Sequence, residues 1–141
     1  MKQDLPRILV VDDEIDMGWA FKNILSPAGF LVTVATSGAE ALRLIVRETY
    51  PVAFVDAKLP DLDGLKLALL IRQSSPSTVV VLISGYFYRE DKAILEGLQN
   101  NTFIGFIAKP FRIEEIRSMA RQAMERAKVS SNVPDPHSIS R

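Results

Sequence analysis

Five short runs of β-forming residues, at 7–11, 30–35, 52–56, 78–83 and 103–108, alternate with five stretches of helical periodicity. This alternation leaves few architectures open. Right-handed crossovers between parallel strands place successive helices on opposite sides of one sheet, so the pattern predicts an α/β fold: a doubly wound, five-stranded parallel sheet with helices on both faces. Runs 52–56 and 78–83 are apolar almost throughout, as strands covered on both faces require.

The first helix carries Met17, Phe21, Ile24 and Ala28 at core spacing, with Pro27 and Gly29 as stop signals. Trp19 is two positions from both Met17 and Phe21, roughly 200° around the axis, and should point away from that stripe. Ser37 and Glu40 have the spacing of a capping box that opens a helix running to about Glu48, with Ala41, Leu44 and Ile45 facing the core. Residues 65–72 form a third helix ending before Pro76, and Gly64 eases the turn into it. Residues 89–98 make a short polar helix. Ile113, Ile116, Ala120, Ala123, Met124 and Ala127 mark a long last one. One domain over residues 1–128 is expected, followed by a linker-like tail at 129–141, which holds four serines and two prolines without periodicity.

The charge balance narrows the function. Lysine plus arginine (17) equals aspartate plus glutamate (17), unlike the basic excess of a nucleic-acid binder, so no direct nucleic-acid contact is expected. With no cysteine, thiol catalysis and disulfides are excluded. No apolar run approaches the roughly 20 residues that span a bilayer, and the N-terminus lacks a signal-peptide core. A soluble, cytoplasmic protein without membrane contact is the expectation.

Four of the five runs end on chemistry. Asp12 and Asp13 follow the first, Asp56 ends the third, Ser84 follows the fourth and Lys109 the fifth. In a doubly wound sheet these ends share one rim, where ligand sites form. A pair of carboxylates ~4 Å apart repels by several kcal/mol at an effective dielectric of ~20, so cations belong among them. Magnesium suits such oxygen ligands, and Lys109 supplies a second positive charge. Together they allow a carboxylate to act as nucleophile while charge on a transferring phosphoryl group is stabilised.

The segments Val10-Val11-Asp12-Asp13-Glu14, Phe54-Val55-Asp56-Ala57-Lys58-Leu59-Pro60-Asp61-Leu62-Asp63-Gly64, Ile83-Ser84-Gly85 and Phe106-Ile107-Ala108-Lys109-Pro110-Phe111 resemble the receiver domain of two-component response regulators over roughly residues 7–128. The resemblance implies a flavodoxin-like strand order of 2-1-3-4-5, which the pattern alone does not supply. It implies Asp56 as phosphoacceptor and Asp12, Asp13, Asp56 and the Lys58 backbone carbonyl as ligands to magnesium, with manganese as an alternative ion. Ser84 and Lys109 would bind phosphoryl oxygens, and Ser84 and Phe106 would form the switch. Lys58 and Tyr86, each two residues beyond a site residue, would tune the lifetime of the aspartyl-phosphate. Ile15 and Trp19 would serve docking. The implied partners are a histidine kinase or phosphotransfer protein and a downstream output domain or partner protein, with a phosphorylation-dependent homodimer left open. Self-catalysed phosphoryl transfer and dephosphorylation would be the only chemistry.

Two other readings compete. A phosphohydrolase using an aspartyl-phosphate normally needs a second acid two residues after the nucleophile, where this chain has Lys58. A phosphorylation-independent module on the same scaffold would normally lack Asp56, an acid of the pair or Lys109. Nucleotide binding is disfavoured because neither glycine-rich phosphate motif is present.

Overall fold

The computed structural model describes residues 5–85 and 92–132. Its elements are β1 (Arg7–Val11), α1 (Ile15–Leu25), β2 (Leu31–Ala35), α2 (Gly38–Arg47), β3 (Val52–Asp56), α3 (Gly64–Ser74), β4 (Val79–Ser84), α4 (Lys92–Gln99), β5 (Gly105–Ala108) and α5 (Ile113–Asn132). The strands form one parallel sheet in the order β2-β1-β3-β4-β5. This is the expected doubly wound architecture.

Alternation along each strand builds two cores. Ile8, Val10, Phe54, Val81 and Ile83 face α1 and α5, meeting Phe21, Leu25, Ile116 and Ala120. Leu9, Val11, Val55, Val80 and Leu82 face the other way, onto Ala41, Ile45, Leu67, Ile71 and Ile94 of α2, α3 and α4. Because every central strand is buried on both sides, its sequence reads as continuous apolar residues. Phe21 anchors the first core edge-on between Phe54 and Phe111, with ring centroids 5.2 and 5.4 Å away.

Local details depart from the sequence reading for identifiable reasons. Ala28 is exposed, because α1 ends at Leu25 and the chain turns through Gly29 at φ +99° before entering β2. The core face of α1 instead includes Gly18, where an added Cβ would lie 2.7 Å from Val34 Cγ1. Ser37 caps α2 by accepting the Glu40 N–H at 3.1 Å, but Glu40 accepts from the Thr36 N–H rather than from Ser37. Leu44 is only half-buried.

The fifth strand starts at Gly105 and not at residue 103. Phe103 is fully buried, but its ring packs so closely over Gly97 of α4 that a Cβ there would be 2.5 Å from it, and Asn101 turns the chain with φ 58°. Burial there comes from contact with a helix. On α5, Ile116, Ala120, Ala123, Met124 and Ala127 are buried as expected, whereas Ile113, in the first turn, is exposed. The helix runs past Lys128 to Asn132. No helix among the described residues is long and apolar enough to cross a membrane.

Candidate functional site

Register sets the site. Val11 of β1 pairs with Val55 of β3, so Asp12 and Asp56, the next residue of each chain segment, leave the sheet at the same level. Ser84 ends β4 opposite Ala108, which places Lys109 directly beyond it; the Lys109 N–H donates to the Ser84 carbonyl at 2.8 Å. Carboxylate oxygens of Asp12, Asp13 and Asp56 all lie within 4.8 Å of one another. An open cavity of about 550 Å³ sits over them, lined by Asp13, Asp56, Lys58, Ser84, Gly85 and Lys109. Residues from four separate stretches of the sequence thus meet at one rim.

Lys109 is the cation of the cluster. Its Nζ donates to Asp12 Oδ2 at 3.4 Å, Asp56 Oδ2 at 3.4 Å and Glu14 Oε1 at 3.2 Å. Burial pulls the ammonium down, but the charges of Asp12 and Asp56 and the bonds to Glu14 and Asp56 outweigh it and hold the group above its usual value. Lys109 stays charged.

Asp12 has the opposite problem. Its side chain has no exposure, and this burial together with the nearby Asp56 charge pushes its carboxyl up to about 6, against the Glu14 N–H and Lys109, which favour the anion. One ammonium therefore does not compensate the acids fully. Three carboxylates with hard oxygen donors, Asp13 and Asp56 lining an open cavity and the buried Asp12 resisting ionisation beside them, are a donor set that a divalent cation would relieve.

The backbone around Asp56 is fixed from below. Its Oδ1 accepts the Lys58 N–H at 3.0 Å, and a Cβ on Gly64 would lie 2.1 Å from the Asp56 carbonyl oxygen. Only glycine lets α3 start so close to the strand. Asp63 caps that helix by accepting the Leu65 N–H at 2.8 Å.

Of the other expected site residues, Phe106 is half-buried on β5 and packs against the α2–α4 core. Ile15 and Trp19 are exposed on α1, as the spacing implied for Trp19. Tyr86 lies outside the described residues. Two participants escaped the sequence reading. Glu14 is a direct partner of Lys109, and the only signal was its place in the run of acids. Asp61 accepts the N–H groups of Gly38 and Ala39 at 2.9 and 3.0 Å, and nothing in its local sequence announces that.

Known proteins place this geometry. The chain is similar to the transcriptional regulator NtrC of Escherichia coli K12, 29% identical over 117 residues, which is 83% of this chain and 24% of that protein. It is likewise similar to the response regulator RppA of Synechocystis, 31% identical over 86% of this chain and 51% of that protein. The chain thus spans only about a quarter of NtrC. Among solved structures, a CheY-like receiver domain of Methanospirillum hungatei superposes with a TM-score of 0.82, at 27% identity over 90% of this chain and 99% of that one. The response regulator TrrA of Thermotoga maritima, solved in complex with Mg(2+)-BeF, superposes at 0.74, with 27% identity over 84% and 99% of the two chains. A family model described as the response regulator receiver domain matches residues 8–121. With that match and the site at the strand ends, the chain belongs to the response regulator receiver domains of two-component systems, a family whose general role is to accept a phosphoryl group.

Proposed function

We propose that Asp56 is the phosphoacceptor of this receiver, taking a phosphoryl group from a phosphohistidine of a histidine kinase or phosphotransfer protein. The observation that carries this reading is Asp56 itself: a buried carboxylate lining the open cavity, gripped by the Lys58 N–H on one oxygen and by Lys109 on the other. In the reaction an Asp56 carboxylate oxygen attacks phosphorus, an O–P bond forms, and the N–P bond of the donor breaks with its electron pair leaving on the imidazole. Lys109 and the Ser84 hydroxyl would hold the phosphoryl oxygens in line.

Asp12, Asp13, Asp56 and the carbonyl of Lys58 would hold a magnesium ion, or manganese in its place. A bound divalent ion would neutralise the carboxylates and draw charge from the transferring group. Among the chain's own groups, Lys109 neutralises part of the same charge and keeps Asp56 oriented. Once phosphorylated, Asp56 would draw Ser84 toward it and let Phe106 turn inward, shifting the population of the face formed by α4, β5 and α5 toward a partner-binding state. The partner is a downstream output domain or protein, and a homodimer is one form that output could take. Residues 1–128 would act as the receiver, with 129–141 leading away from it.

Mass spectrometry after incubation with acetyl phosphate and magnesium tests the central assignment. One added phosphoryl group on the parent and none on Asp56→Asn is the expected result. Equal modification of both proteins would place the acceptor elsewhere.

A further inference from the structure

The loop between β3 and α3 carries Lys58, and it is closed at its base by local bonds. The Gly64 N–H donates to the Ala57 carbonyl at 2.9 Å, Lys58 and Asp63 form an isolated antiparallel bridge, and the Lys58 N–H reaches Asp56 Oδ1. The tip is held differently. Asp61 spans 23 positions to accept the Gly38 N–H on Oδ1 and 22 to accept the Ala39 N–H on Oδ2, both in the first turn of α2.

This link is built into both partners. An anion at a helix N-terminus meets unpaired N–H groups and the positive end of the helix dipole. Gly38 lets the loop approach, since a Cβ there would be 2.9 Å from Leu62 Cδ2 and 3.4 Å from Asp61 Oδ1. Ser37 already serves as the local cap of α2 through Glu40, so Asp61 adds a second attachment that comes from another element. The two N–H groups favour the carboxylate anion and hold the Asp61 carboxyl below the usual carboxylate range.

We propose that Asp61 is a positioning residue for the metal site: it ties the loop bearing the Lys58 carbonyl to α2, holding that carbonyl ready for the ion. Outer-shell anchors of this kind fix the orientation of direct ligands, and a ligand on a loose loop must be ordered when the ion binds. Linkage is reciprocal. If α2 steadies the ion's loop, then the ion must steady the first turn of α2, so α2 becomes a second element, beside the face of α4, β5 and α5, that responds to occupancy of the site.

The inference rests on the magnesium assignment proposed above, and the experiment separates the two. Magnesium is titrated calorimetrically into the parent, Asp13→Ala, Asp61→Ala, Asp61→Asn and Ser37→Ala. Amide hydrogen exchange at Gly38 and Ala39 is followed with and without the ion. Binding by the parent and its loss in Asp13→Ala support the metal assignment itself. Asp61→Ala should then bind about tenfold more weakly, with Asp61→Asn, which keeps one acceptor oxygen, in between. Ser37→Ala removes a cap of the same helix without touching the loop, and should bind as the parent does. Magnesium should slow exchange at residues 38 and 39 in the parent and not in Asp61→Ala. Parent-like affinity in Asp61→Ala, or an equal loss in Ser37→Ala, would overturn the proposal while leaving the metal assignment standing. Absence of binding by the parent would overturn both.

Discussion

Lys109 Nζ stands 3.4 Å from Asp56 Oδ2, and the same nitrogen bonds Asp12 and Glu14. A cation so placed has two opposed effects: it favours charge developing on a phosphoryl group at Asp56, and it competes with any divalent ion for the same carboxylates. Lys109→Met should therefore slow phosphorylation by acetyl phosphate by about a hundredfold, while magnesium affinity stays the same or increases. Phosphorylation kinetics and magnesium titration on the same preparation check both halves. A parallel loss of both would mean the substitution had disrupted the cluster.

The raised carboxyl of Asp12 predicts how stability responds to pH. Folded Asp12 titrates at about 6 against an ordinary 3.8, because of burial and the neighbouring Asp56. Between these values the folded chain keeps a proton that the unfolded chain has lost. The Asp12 contribution to stability is therefore greatest at the acid end of that window and falls as pH rises toward and through 6. The loss amounts to roughly 1–3 kcal/mol. Urea unfolding without divalent ions should show it between about pH 4 and 6.5, with Asp12→Asn flattening the slope. Magnesium, which prefers the deprotonated acids, should restore stability at the upper end.

Gly64 is a steric requirement that the site places on α3. Gly64→Ala drives a Cβ to 2.1 Å from the Asp56 carbonyl oxygen and 2.5 Å from Ala57 Cα. Backbone cannot yield there without moving the end of β3, so a cost of about 3 kcal/mol and, on the proposed function, slower phosphorylation are expected. Gly29→Ala is the comparison. It meets nothing within 4 Å but sits at φ +99°, and should cost about 1 kcal/mol without affecting phosphorylation. Denaturant unfolding of the two variants measures the difference.

The rim was legible in the sequence because parallel strands end on their chemistry. Asp12, Asp56, Ser84 and Lys109 each stand at the point where an apolar run stops, and a doubly wound topology admits only one side for all of them. What stayed hidden depends on contacts between elements. Asp61 looks like one more acid in a turn until the fold brings Gly38 and Ala39 to it. Phe103 has strand character but is committed to Gly97, and Ala28 keeps helical spacing beyond the end of α1. Periodicity reports which face is apolar, not where the backbone bonds stop.

Ser84 is the residue through which a phosphoryl group at Asp56 should be felt at Phe106. The serine ends β4, Phe106 lies on the neighbouring β5 opposite Leu82, and it is half-buried against the α2–α4 core. Ser84→Ala should accept a phosphoryl group yet show a smaller amide-shift response across α4 and β5 than the parent. A full-sized response in the variant would show that the signal leaves the site by another route.

Ile15 and Trp19, one helical turn apart on α1, are 76% and 69% exposed although both are large and apolar. Neither contributes to the core, which α1 enters through Gly18, Phe21 and Leu25. Ile15 begins the helix directly after the acids, so a partner seated on this pair would lie beside the cavity mouth. A helical kinase surface carrying a phosphohistidine would bury both side chains as it delivers the phosphoryl group, whereas acetyl phosphate would ignore them. Trp19→Ala should leave unfolding stability within about 0.5 kcal/mol of the parent. It should slow transfer from a cognate kinase by tenfold or so, as expected for loss of an aromatic anchor at an interface. Its rate with acetyl phosphate should match the parent. Equal slowing with both donors would locate the defect in the phosphorylation site instead of at the docking surface.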